Sequence, residues 1–339
     1  MKILYNYKEY LIFLGKDYTM TEISRIEKKK KKSKKWLKIT GAVLLVLLLG
    51  LGAYAFSIWN SLSGAVDKMH TPLDRTSEKR ADNALELSKQ EPFSVLLLGV
   101  DEREGDKGRS DTMITLAVNP NNKNIKMLSI PRDTRTEIIG KGFDDKINHA
   151  FAFGGPKMAM DTVENFLDIP IDYYIKINME GFKDIIDAVG DVTVENDLDF
   201  TYEGVHFPKG TLTLNGEEAL KYSRMRYEDP RQDFGRQLRQ RQIIEAIIKK
   251  GASFSSLTRF GDIFGALGNN IETNLSFSEM MDIQKNYREA AGSLEQMTIA
   301  STGTKIKNSS GKNIYYGIVS DEERKRVQNE MKTQLEIKD

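Results

Sequence analysis

The 339-residue sequence contains no cysteine. That absence excludes a disulfide framework, a thiolate nucleophile and any Cys-based metal site, so stability has to come from an ordinary core. Histidine is scarce too. His70, His149 and His206 are too scattered for a zinc triad or a metalloprotease helix, which leaves hard, oxygen-bound cations as the metals this chain can take. No P-loop pattern is present, and Asp233-Phe-Gly235 is a kinase-like tripeptide without a catalytic-loop HRD or a Gly-rich loop, so ATP is not the expected donor. Internal repeats are also absent, and the formal net charge is only +1.

That small net charge hides an asymmetry. Residues 1–38 carry 12 Lys plus Arg against 4 Asp plus Glu, whereas the remainder carries 38 against 45. Between the two lies Ile39 to Trp59, 21 residues without a charge, preceded by lysines at 28 to 32, 34, 35 and 38. As a helix this run spans roughly 31 Å, enough for a hydrocarbon core of about 30 Å. The lysines keep its N-terminal end cytoplasmic under the positive-inside bias. A cleaved signal peptide is the rival reading, since Ala53-Tyr-Ala55 supplies a small-x-small site, but the preceding tail is long for a signal's basic region. The lysine run lacks interleaved aromatics or a binding motif, so it is a topology signal resting on anionic lipid and no nucleic-acid partner is expected. The expectation is a basic cytoplasmic tail over 1–38, a transmembrane helix over 39–59, an extracytoplasmic stalk over 60–91 and one large domain over 92–339. Residues 1–19 look out of place before Met20-Thr-Glu, which makes Met20 an alternative start.

From Pro92 onward strands and helices alternate, which predicts an α/β domain with a layered central sheet flanked by helices. Phe93-Ser-Val-Leu-Leu-Leu-Gly is nearly continuously apolar, as for a strand covered on both faces. Strands are also expected over 113–118, 125–130, 173–177 and 192–194, and helices over 146–153, 156–167, 179–189, 217–224 and 235–250. Asn215 is a cap, and Ser276-x-x-Glu279 and Ser320-x-x-Glu323 fit capping boxes.

Charged residues gather where strands end. Gly99-Val-Asp101-Glu-Arg103 follows the first strand, Pro131-Arg132-Asp133 follows the one ending at Ile130, and Arg109-Ser-Asp111-Thr lies between. Ligands of open α/β sheets bind outside the carboxyl ends of strands, so one rim can gather Asp101, Asp111, Arg109 and Arg132; a set of surface ion pairs explains any one motif equally well. A second cluster argues for a site. Tyr222-Ser-Arg224-Met-Arg226 brings two guanidiniums close, and Asp233, Arg236 and Gln240 share one helical stripe with Ile243 and Ile247. A core-facing stripe that ends in Asp, Arg and Gln is poor core design and good site design. Arg239 and Arg241 fall off it and are expected to be solvated or paired. Arginine forks bind phosphate oxygens bidentately and aspartates hold a hard divalent ion that bridges phosphates, so the combination suggests pyrophosphate chemistry.

In order, the chain has Leu98-Gly-Val-Asp-Glu-Arg103, Arg109-Ser-Asp-Thr-Met113, Ser129-Ile-Pro-Arg-Asp-Thr134, Lys146-Ile-Asn-His-Ala-Phe-Ala-Phe-Gly-Gly155, Tyr222-Ser-Arg-Met-Arg226 and Asp233-Phe-Gly-Arg236 with Arg239-Gln240. With this series it closely resembles the LytR-CpsA-Psr family, and within it the teichoic acid transferases of Gram-positive rods. The resemblance implies an extracytoplasmic phosphotransferase that moves an anionic wall glycopolymer from an undecaprenyl-pyrophosphate carrier to peptidoglycan, at the 6-hydroxyl of muramic acid. It further implies Asp101 and Asp111 as carboxylates linked to Mg²⁺ (or Mn²⁺), and Arg109, Arg132, Arg224, Arg226, Arg236 and Gln240 as the pyrophosphate cradle. Asp233 is similar to the family's acidic residue near those arginines, and with Asp101, Asp111 and Arg132 it completes the expected catalytic set. Gln232 stands where the family pattern has glycine.

Among Asp111, Asp133 and Asp233 the sequence does not choose a base for the sugar hydroxyl. Phe182, Ile185, Ile186 and Val189 recur at helical spacing, and either line a tunnel for the lipid tail or pack the core. His149 is expected to be structural, and Lys146 either pairs with a site carboxylate or lies at the surface. Two other functions remain open: a pyrophosphatase acting on the same lipid carrier, and a membrane-bound transcriptional attenuator.

Overall fold

The computed structural model describes residues 20–80, 85–101, 108–253, 263, 265, 267–307 and 310–337. Residues 1–19, with the alternative start, and Glu102 and Arg103 of the first motif lie outside the described residues. Two compact units separate at Asn60 and Ser61. Helix α1 (Met20–Met69) supplies all that is described of the first, and its section Lys38–Met69, with an 18-residue stretch of mean hydropathy 2.3, is long and apolar enough to cross a membrane. Each side chain from Val43 to Leu49 leaves more than half its surface exposed.

The second unit begins with the last residues of α1, where Leu62, Val66 and Met69 are buried. It continues with β1 (Phe93–Val100), β2 (Ser110–Asn119), β3 (Asn124–Ser129), β4 (Arg135–Ile138), β5 (Phe143–Lys146), α2 (His149–Leu167), β6 (Tyr173–Ile177), α3 (Met179–Val189) and β7 (Val192–Asn196). Then come β8 (Phe200–Tyr202), β9 (Val205–Phe207), β10 (Gly210–Leu214), α4 (Gly216–Arg224), α5 (Asp233–Ser253), β11 (Ile271–Thr273) and α6 (Phe277–Asn286). Last are β12 (Leu294–Thr298), β13 (Thr302–Lys307), β14 (Asn313–Ile318) and α7 (Asp321–Gln334).

Six strands form one mixed sheet in the order β11-β6-β1-β2-β3-β12, with β1 parallel to β6 and antiparallel to β2. Alternate side chains of β1 face opposite sides, as the pleat requires. Leu96, Leu98 and Val100 join a core with Val163 and Phe166 of α2 and Met331 of α7, while Phe93 and Val95 join another with Leu116, Val118 and Tyr287. A third core holds Ile186, Val192, Leu214, Tyr222 and Ile243 from α3, β7, β10, α4 and α5. This explains the unbroken apolar run of β1: both faces are covered, with only Leu97 and Gly99 partly exposed.

Local signals behave as local chemistry dictates. Asn215 and Glu218 close a reciprocal capping box on α4, and Ser276 and Glu279 close one on α6. At α7 only half the box forms: Ser320 Oγ accepts from the Glu323 amide, but the Glu323 carboxylate turns to Ala300 N and Arg326. Lys146 ends β5 instead of opening a helix, and α2 starts at His149 and breaks at Gly154 and Gly155 before Pro156.

The described residues of the expected stalk over 60–91 pack on the second unit from Ser61 onward. Arg75 donates to Asp161, Glu164 and the Ile171 carbonyl at 2.5–2.6 Å, and Arg80 grips Asp172 through Nε at 2.8 Å and Nη2 at 2.7 Å. The compact unit therefore starts at Ser61 and not near residue 92.

Candidate functional site

A cavity of about 460 Å³ opens beside the carboxyl end of β1. Leu97, Leu116, Ile175 and Ile177 of the sheet, Phe182 and Ile185 of α3, and Ile244, Ile247 and Ile248 of α5 make its apolar lining. Asp101, Asp111, Arg132, Arg224, Arg226, Arg236 and Gln240 line it as well. These polar groups segregate from the apolar ones along the chain. On α5, Arg236 precedes Ile248 by twelve residues, roughly 18 Å of helix, and on β1, Asp101 lies about 13 Å beyond Leu97. One end of the cavity is thus charged and the other apolar.

The expected lipid-facing side of α3 divides. Phe182 and Ile185 line the cavity, whereas Ile186 and Val189 belong to the core. Along α5 the expected Arg236, Gln240 and Ile247 line the cavity, but Ile244 faces it in place of Ile243, which is fully buried in the core.

The charged end is tightly linked. Arg132 Nη1 lies 3.0 Å from Asp111 Oδ1, and Arg236 reaches the Asp111 backbone carbonyl with both terminal nitrogens at 3.3 and 3.4 Å. Asp233 orients Arg236 through a 2.9 Å bond from Nε and accepts 2.8 Å from Gln237 Nε2. Burial acts to raise the Asp233 pKa, but the charge of Arg236, the hydrogen bonds of Gln237 and Arg236, and the charge of Arg132 outweigh it and hold the carboxyl below its ordinary value. Arg132 is raised: burial opposes its charge, and Asp111, Asp133 and Asp233 more than compensate. Lys146 pairs closely with Asp133, and His149 bonds Asp145 at 2.8 Å and does not line this cavity.

Two of the expected site residues do not line this cavity. Arg109 is exposed and lines neither this cavity nor its neighbour, because it stands one residue before β2, outside the rim. Asp233 lines a second cavity of about 260 Å³, with Arg132, Asp133, Lys146, Arg226, Gln237 and Tyr315. Arg132 and Arg226 are common to both cavities.

Sequence reasoning missed what holds the arginines in place. Arg239, expected to be solvated or paired, is 1 % exposed and paired with the fully buried Asp229 at 2.7 Å. It also donates to the carbonyls of Tyr222 and Met225 at 3.1 and 2.6 Å and lies over the rings of Phe200 and Tyr222. The backbone around Arg224 and Arg226 is thereby fastened from inside. Gly235 belongs to this fastening: a Cβ there would meet Asp229 Oδ2 at 1.9 Å, so any larger residue has to displace the Asp229 carboxylate. Gln232, the departure from glycine, has φ 53°, left-handed geometry that glycine adopts without strain. Arg241 is not solvated either; it bonds Ser129 Oγ at 2.8 Å and Gln296 Oε1 at 3.0 Å, and burial pushes its pKa down to about 10. Tyr227, Asn178 and Tyr315 were also unforeseen in the lining; an exposed Tyr227 after Tyr222-Ser-Arg-Met-Arg226 was the one available signal.

Asp101 and Asp111 both line the larger cavity, and among the described residues no group of three or more His, Asp or Glu side chains converges to hold a metal by itself. Such a sparse donor set fits Mg²⁺, which keeps waters and takes one or two carboxylates plus substrate phosphate oxygens.

The fold is a mixed α/β domain, and an arginine-lined end on an apolar chamber has the chemistry to suit an amphiphile with a phosphate head. The LytR_cpsA_psr family model matches residues 56–333. The teichoic acid transferase TagU of Bacillus licheniformis, named as polyisoprenyl-teichoic acid–peptidoglycan teichoic acid transferase, is 50% identical over 311 residues, 92% of this chain and 99% of that one. The crystal structure of Bacillus subtilis TagU matches with TM-score 0.59 and 50% identity over 73% of this chain and 98% of that one. A structure described as TagT bound to LI-WTA matches with TM-score 0.65 and 32% identity over 79% of this chain and all of that one. The chain belongs to the LytR-CpsA-Psr family.

Proposed function

We propose that this protein is a phosphotransferase that attaches wall teichoic acid, from an undecaprenyl-pyrophosphate-linked precursor, to peptidoglycan. The observation that carries this reading is the single cavity with arginines at one end and an isoleucine-rich lining at the other. The relatives' shared transferase name supports the reaction.

In the proposed step an acceptor hydroxyl oxygen bonds to the phosphorus that carries the glycopolymer. The bridging P–O bond breaks, polyprenyl phosphate leaves with the bridging oxygen, and the hydroxyl proton ends on that phosphate or on water. Arg132, Arg224, Arg226 and Arg236, with Gln240, hold the pyrophosphate and offset charge gathering on the leaving group; positioning and electrostatics supply most of the acceleration in such transfers. Arg109 has no place in this cradle. Asp101 and Asp111 would hold Mg²⁺ or Mn²⁺, which when bound supplies charge neutralisation between the phosphates. Asp233 acts as a positioning residue, since a carboxylate held below its ordinary pKa is a weak base and its oxygens already orient Arg236 and Gln237.

The apolar section of α1 crosses the cell membrane once, with the lysine-rich end cytoplasmic and the domain outside. The test is transfer by the purified full-length chain from a lipid-pyrophosphate-linked disaccharide to a soluble peptidoglycan oligomer. Coupled product with Mg²⁺ is expected; hydrolysis alone would instead identify a pyrophosphatase. Protease added outside protoplasts should remove the domain, and its protection would favour a cytoplasmic regulator.

A further inference from the structure

The second cavity lies where the two guanidiniums Arg132 and Arg226 end the first, and it contains none of the first cavity's apolar lining. Its two carboxylates are already matched within the chain, Asp133 by Lys146 and Arg132 and Asp233 by Arg236, whereas Arg226 is in no ion pair among the described residues. Carboxylates so matched have little to offer a metal ion, and the remaining polar lining beside Arg226 suits a ligand rich in hydroxyls. Two residues of its lining each carry a buried atom without a partner: Gln237, 5 % exposed, at Oε1, and Arg226 at Nε. An unmet acceptor and an unmet donor are costly unless a ligand or water bonds them. Tyr315, half exposed, adds a ring to the lining, and it is held there because Gly303 leaves room: a Cβ on Gly303 would meet the Tyr315 hydroxyl at 2.6 Å. Aromatic rings offer a flat apolar face for the CH side of a pyranose.

We infer that this second cavity is the acceptor-saccharide subsite, in which a peptidoglycan sugar rests on Tyr315, bonds Gln237 Oε1, and presents its hydroxyl to the phosphate held by Arg132 and Arg226. The inference rests on the transferase reading and adds where the acceptor enters. In-line displacement has the nucleophile opposite the leaving group. With the lipid phosphate leaving toward the apolar chamber, the acceptor has to approach from elsewhere, and this cavity adjoins the same guanidiniums without sharing that chamber.

The donor's own first sugar is the other source of the same chemistry, and the experiment separates the two. Affinities are measured by titration of the full-length chain in detergent for three probes: a soluble peptidoglycan tetrasaccharide, a short polyprenyl pyrophosphate, and that lipid carrying a disaccharide. Tyr315→Ala and Gly303→Ala, which removes and displaces the ring respectively, should weaken the tetrasaccharide about tenfold and leave both lipids within twofold. Tyr315→Phe should bind the tetrasaccharide nearly as well as wild type. Weakening confined to the disaccharide-bearing lipid would assign the cavity to the donor and overturn the proposal. So would an unchanged tetrasaccharide affinity, equal losses for all three probes, or no tetrasaccharide binding by the wild type. Failure of the transferase reading has a different signature: wild-type protein that binds every probe and yields no coupled product.

Discussion

Replacing Asp229 by alanine tests how the arginine cradle is held. The substitution strands the Arg239 guanidinium, 1 % exposed, with two backbone carbonyls, the Met225 sulfur and two ring faces for partners. Breaking one side of a buried pair costs about 3–5 kcal/mol, and the remaining partners place this case at the low end, near ~3 kcal/mol. For a domain of this size that lowers the melting temperature by about 6–12 °C. The segment carrying Arg224 and Arg226 loses its anchor as well, so affinity for a short polyprenyl pyrophosphate should fall by about tenfold or more, ~1.4 kcal/mol. Calorimetry and titration on the same preparations read both effects. Asp229→Ala combined with Arg239→Met should recover part of the stability, because no charge is then left stranded. A double variant that loses the full sum of the single losses would refute the stranded-charge account. Acid supplies an independent check. Burial acts to raise the Asp229 pKa from its ordinary 3.8, but hydrogen bonds from Arg231 and Arg239 dominate and hold it at about 2. A carboxyl depressed in the folded state contributes stability present above about pH 4 and lost as pH falls toward 2, here about 2 kcal/mol. Asp229→Asn should lack that component of the acid transition.

Asp101→Ala and Asp111→Ala should each abolish most Mg²⁺-dependent transfer while melting within a few degrees of wild type, and undiminished turnover in both would end the metal assignment. Arg132→Lys should be nearly as damaging as Arg132→Ala because a lysine cannot reproduce the planar fork that also meets Asp111; full rescue by lysine would mean that only charge matters. Arg236→Ala should weaken polyprenyl pyrophosphate binding about tenfold, whereas Arg109→Ala should change it by less than twofold, and a large Arg109 effect would return that residue to the cradle. Gln232→Gly should be tolerated within about 1 kcal/mol, while Gln232→Ile should destabilise by about 1–2 kcal/mol, since a β-branched residue resists positive φ; equal melting of the two variants would contradict this.

What the sequence by itself determined is what short-range chemistry controls. The pleat makes β1 apolar on both faces, helix ends recruit Asn215 and Ser276, and residues just past strand ends, Asp101 and Arg132, have to stand on the sheet's rim. Helical spacing likewise brought Arg236 and Gln240 onto the cavity side of α5. Tertiary structure decided what depends on partners far along the chain. Residues 61–80 look like a polar tether until Arg75 meets Glu164 and Arg80 meets Asp172, partners about ninety positions away. Arg239 looks like a surface residue until two rings and Asp229 enclose it, and Tyr315 has no visible link to Arg132 until the β13–β14 hairpin brings it to the same cavity. Asp233 faces the second cavity while holding Arg236 at the first, a division that helical spacing alone does not reveal. Periodicity sets which face a side chain takes, but only the packing of distant segments sets which cavity, if any, that face meets.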